Sequence, residues 1–437
     1  MSRGSPAGAR PARGRGPDPV ERAANADRPA QQDRPSLPVI LTGLCTTQII
    51  AWGILYYAFP VLSARISADT GWSTASVTAA YSAGLVVSAL LGIPVGKMLD
   101  RRGPRLVMTA GSVLGVASLA GIAFAPNYPV FLVSWLVAGA AMAGNLYPPA
   151  FAAVTRWYGP RRVFALTVIT LIGGLASTVF APVTEALAAF FDWRGVYLVL
   201  AVVLAATAIP IHAIVLRRRW PREESGDDDG APVSADPDRQ YARGVMRSRV
   251  YILMTVGLTL GSTAGFAAMI NMVPMLVERG VSTALAAWIL GLSGFGQVVG
   301  RLFYWAMQRR LGVLARHMWI YGLLAVSTAA LAVDSTHAGW LICVAMVAGV
   351  GRGISTLLKA TAVTDRWGPR AYGRLSGVFN APVMFGVALA PALGAWLAQL
   401  LGSWELMYLV LAGMGAVALA ALAFSVPARH PSAAPPQ

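Results

Sequence analysis

Apolar residues in this chain fill long unbroken runs instead of alternating with polar ones. Twelve runs are each long enough for the roughly 20 residues that a helix needs to cross the hydrocarbon core of a bilayer. They predict spans over 38–65, 73–96, 106–125, 129–154, 163–189, 195–216, 250–277, 284–307, 315–334, 339–363, 373–400 and 405–426. A polar break at 217–249 divides the runs six and six. Arg217, Arg218 and Arg219 close the sixth run, and an acidic stretch with Glu223, Glu224, Asp227, Asp228 and Asp229 follows, which is the composition of a solvated linker. Residues 1–36, rich in Arg, Pro, Ala and Gly without periodicity, read as a disordered tail, and 427–437 as a second tail. The organisation expected is therefore a tail (1–36), a six-helix bundle (37–216), a linker (217–249), a second six-helix bundle (250–426) and a tail (427–437).

Composition supports a polytopic membrane protein. Of 437 residues, 56% are hydrophobic and 12% charged, about half the charged share of soluble proteins. The net charge of +16 would suggest nucleic acid if it were clustered. Instead the basic residues lie in every second loop: Lys97, Arg101, Arg102 and Arg105; Arg156, Arg161 and Arg162; Arg217–Arg219; Arg309, Arg310 and Arg316; Arg366, Arg370 and Arg374. The intervening loops are poor in Lys and Arg and carry Asp69, Asp192, Glu278, Asp334 and Glu405. Such alternation orients a membrane protein with its basic loops, and here both termini, in the cytoplasm. No signal peptide precedes the first run. Cys45 and Cys343 both lie inside apolar runs, with no disulfide framework or metal spacing.

The two halves repeat. Val154-Thr155 and Gly159-Pro160-Arg161 are echoed by Val363-Thr364 and Gly368-Pro369-Arg370, Ala181-Pro182 by Ala390-Pro391, and the pentamer Tyr197–Ala201 by Tyr408–Ala412, all near one offset of about 210 residues. Parallel six-helix repeats with a substrate site between them are a known transporter plan.

The loop Gly92–Arg105 carries Gly96, Asp100, Arg101, Arg102, Gly103, Pro104 and Arg105. Gly103 and Pro104 permit a tight turn. This spacing resembles the loop between helices 2 and 3 of the major facilitator superfamily. The resemblance implies an all-α membrane fold of twelve helices in two parallel repeats. It also implies that Gly96, Asp100, Arg101, Arg102, Gly103 and Arg105 form a latch that opens and closes as the bundles alternate. Arg156–Leu166, followed by Gly173-Gly174, resembles the Arg-rich entry to helix 5 of monocarboxylate porters and oxalate–formate exchangers, and Gly71-Trp72-Ser73 also fits that branch. By that resemblance Arg301, in Gly296-Gln297-Val298-Val299-Gly300-Arg301, is the arginine of helix 8 that binds the substrate carboxylate. Gln297 stands where the proton-coupled porters have an aspartate, and helix 11 holds Asn380 where the oxalate exchangers have a lysine. The helix-5 signature of drug exporters is absent.

Ionisable residues at membrane depth are functional candidates by default. Arg301 is assigned to the substrate. Arg352 faces the cavity or pairs within its bundle, and Lys359 is read as an anchor snorkelling to the basic face. Glu185 is a capping or interfacial carboxylate, or a proton site. Gln48, Trp52 and Tyr56, four apart on one face, complete a candidate cavity with Asn145, Asn271, Gln297 and Asn380; each serves equally as a helix–helix contact. Fixed positive charge without negative charge favours an anionic substrate. The sequence thus predicts a secondary transporter of a small organic anion of the monocarboxylate kind, or else an exporter of drug-like or secondary metabolites. It would act as a monomer in the bilayer, without cofactor, metal or nucleic acid. No catalytic cluster supports an enzyme. High Ala, Gly, Arg and Pro content points to a GC-rich bacterial genome and so to the inner membrane.

Overall fold

The structure is a computed structural model that describes residues 35–218, 220, 237–368 and 372–425. Every regular element among them is helical, as a bilayer demands of a chain that must satisfy its own backbone groups. Twelve helices are long and apolar enough to span a membrane: α1 Leu37–Thr70, α2 Thr74–Leu99, α3 Pro104–Ala123, α4 Tyr128–Tyr158, α5 Phe164–Leu187, α6 Trp193–Val215, α7 Arg249–Ile270, α8 Thr283–Arg310, α9 Val313–Ala330, α10 Ala338–Lys359, α11 Arg374–Leu401 and α12 Trp404–Ala423. Residues 1–34 and 427–437 of the expected tails, and 219 and 221–236 of the expected linker, lie outside the described residues. The rest of that linker departs from expectation, because Pro237–Arg247 forms a helix. Its Ala242, Val245 and Met246 join the core of the last six helices, an apolar spacing that an acidic neighbourhood hid.

Helix neighbours repeat with the sequence. In the first half α2 packs on α4, α3 on α4 and α6, and α1 on α5 and α6; in the second, α8 packs on α10, α9 on α10 and α12, and α7 on α11 and α12. Polar stitches repeat as well. At the face bearing the acidic loops, the Trp193 indole donates to Asp69 (2.9 Å) and the Trp404 indole to Glu278 (2.5 Å). Arg194 donates to the carbonyls of Ala123 and Ala125 that end α3, and Arg279 to those of Leu331 and Val333 that follow α9.

The two halves meet through α2 with α11 and α5 with α8. Toward the acidic face one hydrophobic core runs through both halves. Toward the basic face it splits into two, one confined to each half. Three bonds across the boundary lie on the acidic side: Thr178 to the Gly291 carbonyl (2.8 Å), the Ala392 amide to Ser82 (3.0 Å) and Thr283 to Glu185 (2.5 Å). Further toward the basic face, Leu90 and Ile93 of α2 and Val378 and Phe385 of α11 are exposed. A side chain at Gly92, Gly96 or Gly377 would meet no atom within 4 Å. The halves are therefore closed at the acidic face and parted at the basic one.

Candidate functional site

The site lies where the shared core ends. α1 winds through one π-helical turn, Gly53–Tyr57, a local distortion that often marks a functional position. Phe180 of α5 packs so closely on Gly53, where this turn begins, that any Cβ there would overlap its ring. The turn gathers Trp52, Tyr56 and Tyr57, with ring centroids 5.2 Å apart for Trp52–Tyr56 and 5.1 Å for Tyr56–Tyr57. α4 breaks at Leu146, between Asn145 and a stretch beginning Tyr147-Pro148-Pro149. That break brings the Tyr147 ring to 4.9 Å from Trp52.

The second half supplies cations to this aromatic group. Arg301 crosses the boundary between the halves: its guanidinium donates to the Thr170 carbonyl of α5, passes against Gly174 and lies beside the Tyr147 phenol. Arg352 donates to the Ser293 hydroxyl (2.9 Å), within electrostatic range of Tyr56, Tyr57 and Tyr408. A cavity of about 20 Å³ beside it, lined by Met269, Met272 and Ser293, has room for about one water. Both arginines are at least nine-tenths buried. Trp52 Nε1, the Tyr56 hydroxyl, Arg301 Nε and Arg352 Nε all lack a partner. Buried polar groups are normally bonded, so four unsatisfied groups, three of them able only to donate, mark a place for an acceptor.

No carboxylate competes for that place. Among the described residues the acidic side chains within the spans are Asp69, Glu185 and Glu405. All lie at acidic-face ends, held by Trp193, Arg65 and Arg279 respectively. Glu185 is thus an interfacial carboxylate, paired with Arg65 at 2.5 Å. Its partner was missed because a charge at the end of an apolar run reads as a loop residue.

Other expected site residues sit elsewhere. Gln48 and Asn145, fully buried, bond each other (Gln48 Nε2 to the Asn145 carbonyl, 2.7 Å), and Asn145 continues through Ser112 to His212. This chain ties α1, α4, α3 and α6 inside the first half, because an amide in an apolar interior must find its own partners. Asn271 likewise donates to the Ala267 and Pro391 carbonyls inside the second half. Asn380 is exposed and donates to the Ser376 carbonyl of its own helix. Gln297, one turn before Arg301, is largely buried, with its backbone carbonyl pressed on Gly353 of α10.

In the expected latch, Gly103 adopts φ +77°, a left-handed value suited to glycine, and packs on Trp220. Arg105 donates to the Ala213 carbonyl at the end of α6 (2.8 Å). Arg101 and Arg102 are exposed, and Gly96 faces open space. The Asp100 side chain lies outside the described residues. Arg105 therefore ties α3 to α6 within one half.

Lys359 does not snorkel. Its ammonium bonds Ser262 of α7 (3.3 Å) and lies 5.9 Å from the centre of the Phe266 ring. Helical side chains lean toward the N-terminus of their helix. For α10 that direction leads away from the basic face.

Two repeated six-helix bundles, closed at one face, parted at the other and lined with unpaired donors at the boundary, define a membrane transport protein. The chain belongs to the Major Facilitator Superfamily, whose family model matches residues 44–331 and, in a second alignment, 257–437. It is 28% identical over 338 residues to monocarboxylate transporter 11 of Homo sapiens, an alignment covering 76% of this chain and 64% of that protein. It is 24% identical over 373 residues to monocarboxylate transporter 13 of Bos taurus, covering 84% and 83%. Among solved structures, a mutant form of the nucleoside transporter NupG superposes with a TM-score of 0.71 at 16% identity, covering 89% of this chain and 100% of that one. A bacterial homolog of the human lysosomal transporter Spinster, inward-facing and unoccupied, gives 0.68 at 15%, covering 89% and 97%. These two likenesses bear on the fold alone.

Proposed function

We propose that this protein is a secondary active transporter of a small organic anion, of the monocarboxylate kind, working by alternating access. The observation that carries this reading is the pair of buried guanidiniums, Arg301 and Arg352, set against an aromatic group at the boundary between the halves with no carboxylate of the described residues beside them. A substrate carboxylate supplies the acceptor that Arg301 Nε, Arg352 Nε and Trp52 Nε1 lack. The Arg301 fork is suited to bind it in bidentate fashion. While empty, Arg301 spends one N–H on the Thr170 carbonyl. An arriving carboxylate offers a better acceptor and loosens that tie between α5 and α8.

The alternating basic loops put the parted face in the cytoplasm, with both termini on that side, in a bacterial plasma membrane; the protein acts as a monomer. Outward opening separates Thr283 from Glu185 and Ala392 from Ser82. At the same time the basic face closes and Asp100, Arg101 and Arg102 engage the second half as a latch. The bundles of residues 37–216 and 250–426 are the two rocking units.

The test is uptake of labelled lactate and pyruvate by proteoliposomes, for wild type and Arg301→Ala, with and without a pH gradient. Uptake by the wild type and its loss in a folded variant support the anion reading, and the gradient dependence decides proton coupling. The clustered rings of Trp52, Tyr56, Tyr57 and Tyr147, edge-to-face and tilted on one another, favour the rival, export of an apolar metabolite. Normal uptake by Arg301→Ala, or none by the wild type, would turn the assignment to that rival.

A further inference from the structure

The second half holds a third inward cation that the proposed site leaves unused. Lys359 is the last residue of α10, yet its ammonium reaches inward to Ser262 and Phe266. Ser262 stands thirteen residues into α7 from Arg249, roughly 20 Å along the helix. The hydroxyl and the ring face are weak partners for a full charge in this setting. The nearest described carboxylate along the chain, Asp365, is taken by Arg316 at 2.9 Å. Lys359 is only partly buried, as is Phe266.

Arg352 and Lys359 address the same helix. Arg352 borders the cavity lined by Met269 and Met272 of the α7 region, whereas Lys359 ends at Ser262 and Phe266, nearer the basic face. Seven residues separate the two on α10, roughly 10 Å of rise. The charges are also peculiar to one half. At the offset of the Gly-Pro-Arg echo, the first half has Gly92, Ala143 and Ala150 where the second has Arg301, Arg352 and Lys359. A charge that only held the repeat together would be expected in both halves.

We propose that Lys359, with Ser262, is a second anion-binding position of the transport cavity, and that the preferred substrate is an organic acid carrying two carboxylates. One carboxylate sits at the arginines and the other at Lys359. Side chains rooted roughly 10 Å apart along α10 leave room between their heads for a four- or five-carbon dicarboxylate, whose carboxylate carbons lie roughly 4–5 Å apart, with an N–O contact of roughly 3 Å at each end. This rests on the anion reading of the cavity and puts a dicarboxylate in place of a monocarboxylate as the preferred substrate.

The experiment uses the full-length protein in proteoliposomes and measures uptake of labelled lactate, succinate and glutarate by wild type, Lys359→Gln, Lys359→Met and Lys359→Arg. Size-exclusion chromatography confirms folding, and one folded neutral variant suffices. The expected result is half-saturation by succinate or glutarate at a concentration about tenfold below that for lactate. The neutral variants lose that preference while lactate stays within about twofold, and Lys359→Arg retains it. Equal loss of all three substrates, or none, overturns the second position and leaves the anion reading standing. No uptake of any of them by the wild type removes the anion reading, and this inference with it.

Discussion

Thr283→Val removes a bond that exists only while the acidic face is closed. Thr283 opens α8 in the second half, and its hydroxyl donates to Glu185 of the first half at 2.5 Å. Glu185 also takes two N–H groups from Arg65 (2.5 and 2.9 Å). That pair lies wholly within the first half and survives outward opening. Valine keeps the shape of threonine, so the substitution deletes this donor together with a longer contact in which the same hydroxyl accepts from Arg65 (3.4 Å). A hydrogen bond to a charged group contributes about 1.5–3 kcal/mol. The Glu185 side chain is 12% exposed, so water competes and the lower end applies. About 1.4 kcal/mol corresponds to a tenfold change in an equilibrium constant. Thr283→Val should therefore move the closed-to-open equilibrium of the acidic face about tenfold toward open. Paired spin labels at the acidic-face ends of α1 and α8, read by double electron–electron resonance in nanodiscs, would report the longer-distance population. An unchanged distance distribution, with the variant folded, would refute the claim that this bond helps hold the face shut.

Two further predictions concern stability. Gly349→Leu should lower thermal stability severely and reduce folded yield, because a Cβ at Gly349 overlaps the Ser293 carbonyl of α8, whereas Gly413→Ala, with no atom within 4 Å of its Cβ, should be near neutral; fluorescence-detected size exclusion after heating compares them. Arg316→Gln should destabilise by about 3–5 kcal/mol, because it leaves the largely buried Asp365 without its partner. Asp365→Asn in the same chain should recover part of that loss in the same assay.

The fold was legible because the strongest signal in a membrane sequence, the length of its apolar runs, is also what builds the structure. The repeat was legible because the halves share one arrangement of helix neighbours, with Tyr197 and Tyr408 fully buried in each. Arg301 and Arg352 stood out because charge within an apolar run is rare. The amides were a different matter. Gln48, Asn145 and Asn271 have the depth of cavity residues, yet all three turn into their own half. Sequence gives the depth of a residue but not the partner its side chain finds. Lys359 shows the same gap, since its Cα lies near the basic face while its ammonium points away from it. Which face stood open was not legible at all, because both arrangements use the same helices.

Four glycines fix how the site is put together. At Gly296, Gly300, Gly349 and Gly353, α8 and α10 approach until each backbone touches the other's carbonyls, leaving no space for a Cβ. Backbones in such contact slide little, so α8 and α10 behave as one plate with Arg301 and Arg352 mounted on it. The spacing between those two charges is then the same in every state of the protein. The distance that varies is the one from this plate to the rings of Trp52, Tyr56 and Tyr147 on the opposite half. On the anion reading proposed above, the second half would act as a fixed gauge for the charged end of a solute and the first as the jaw that meets it. Altering the rings should therefore change how readily the protein closes on a solute, with the spacing of acceptors it accepts left unchanged.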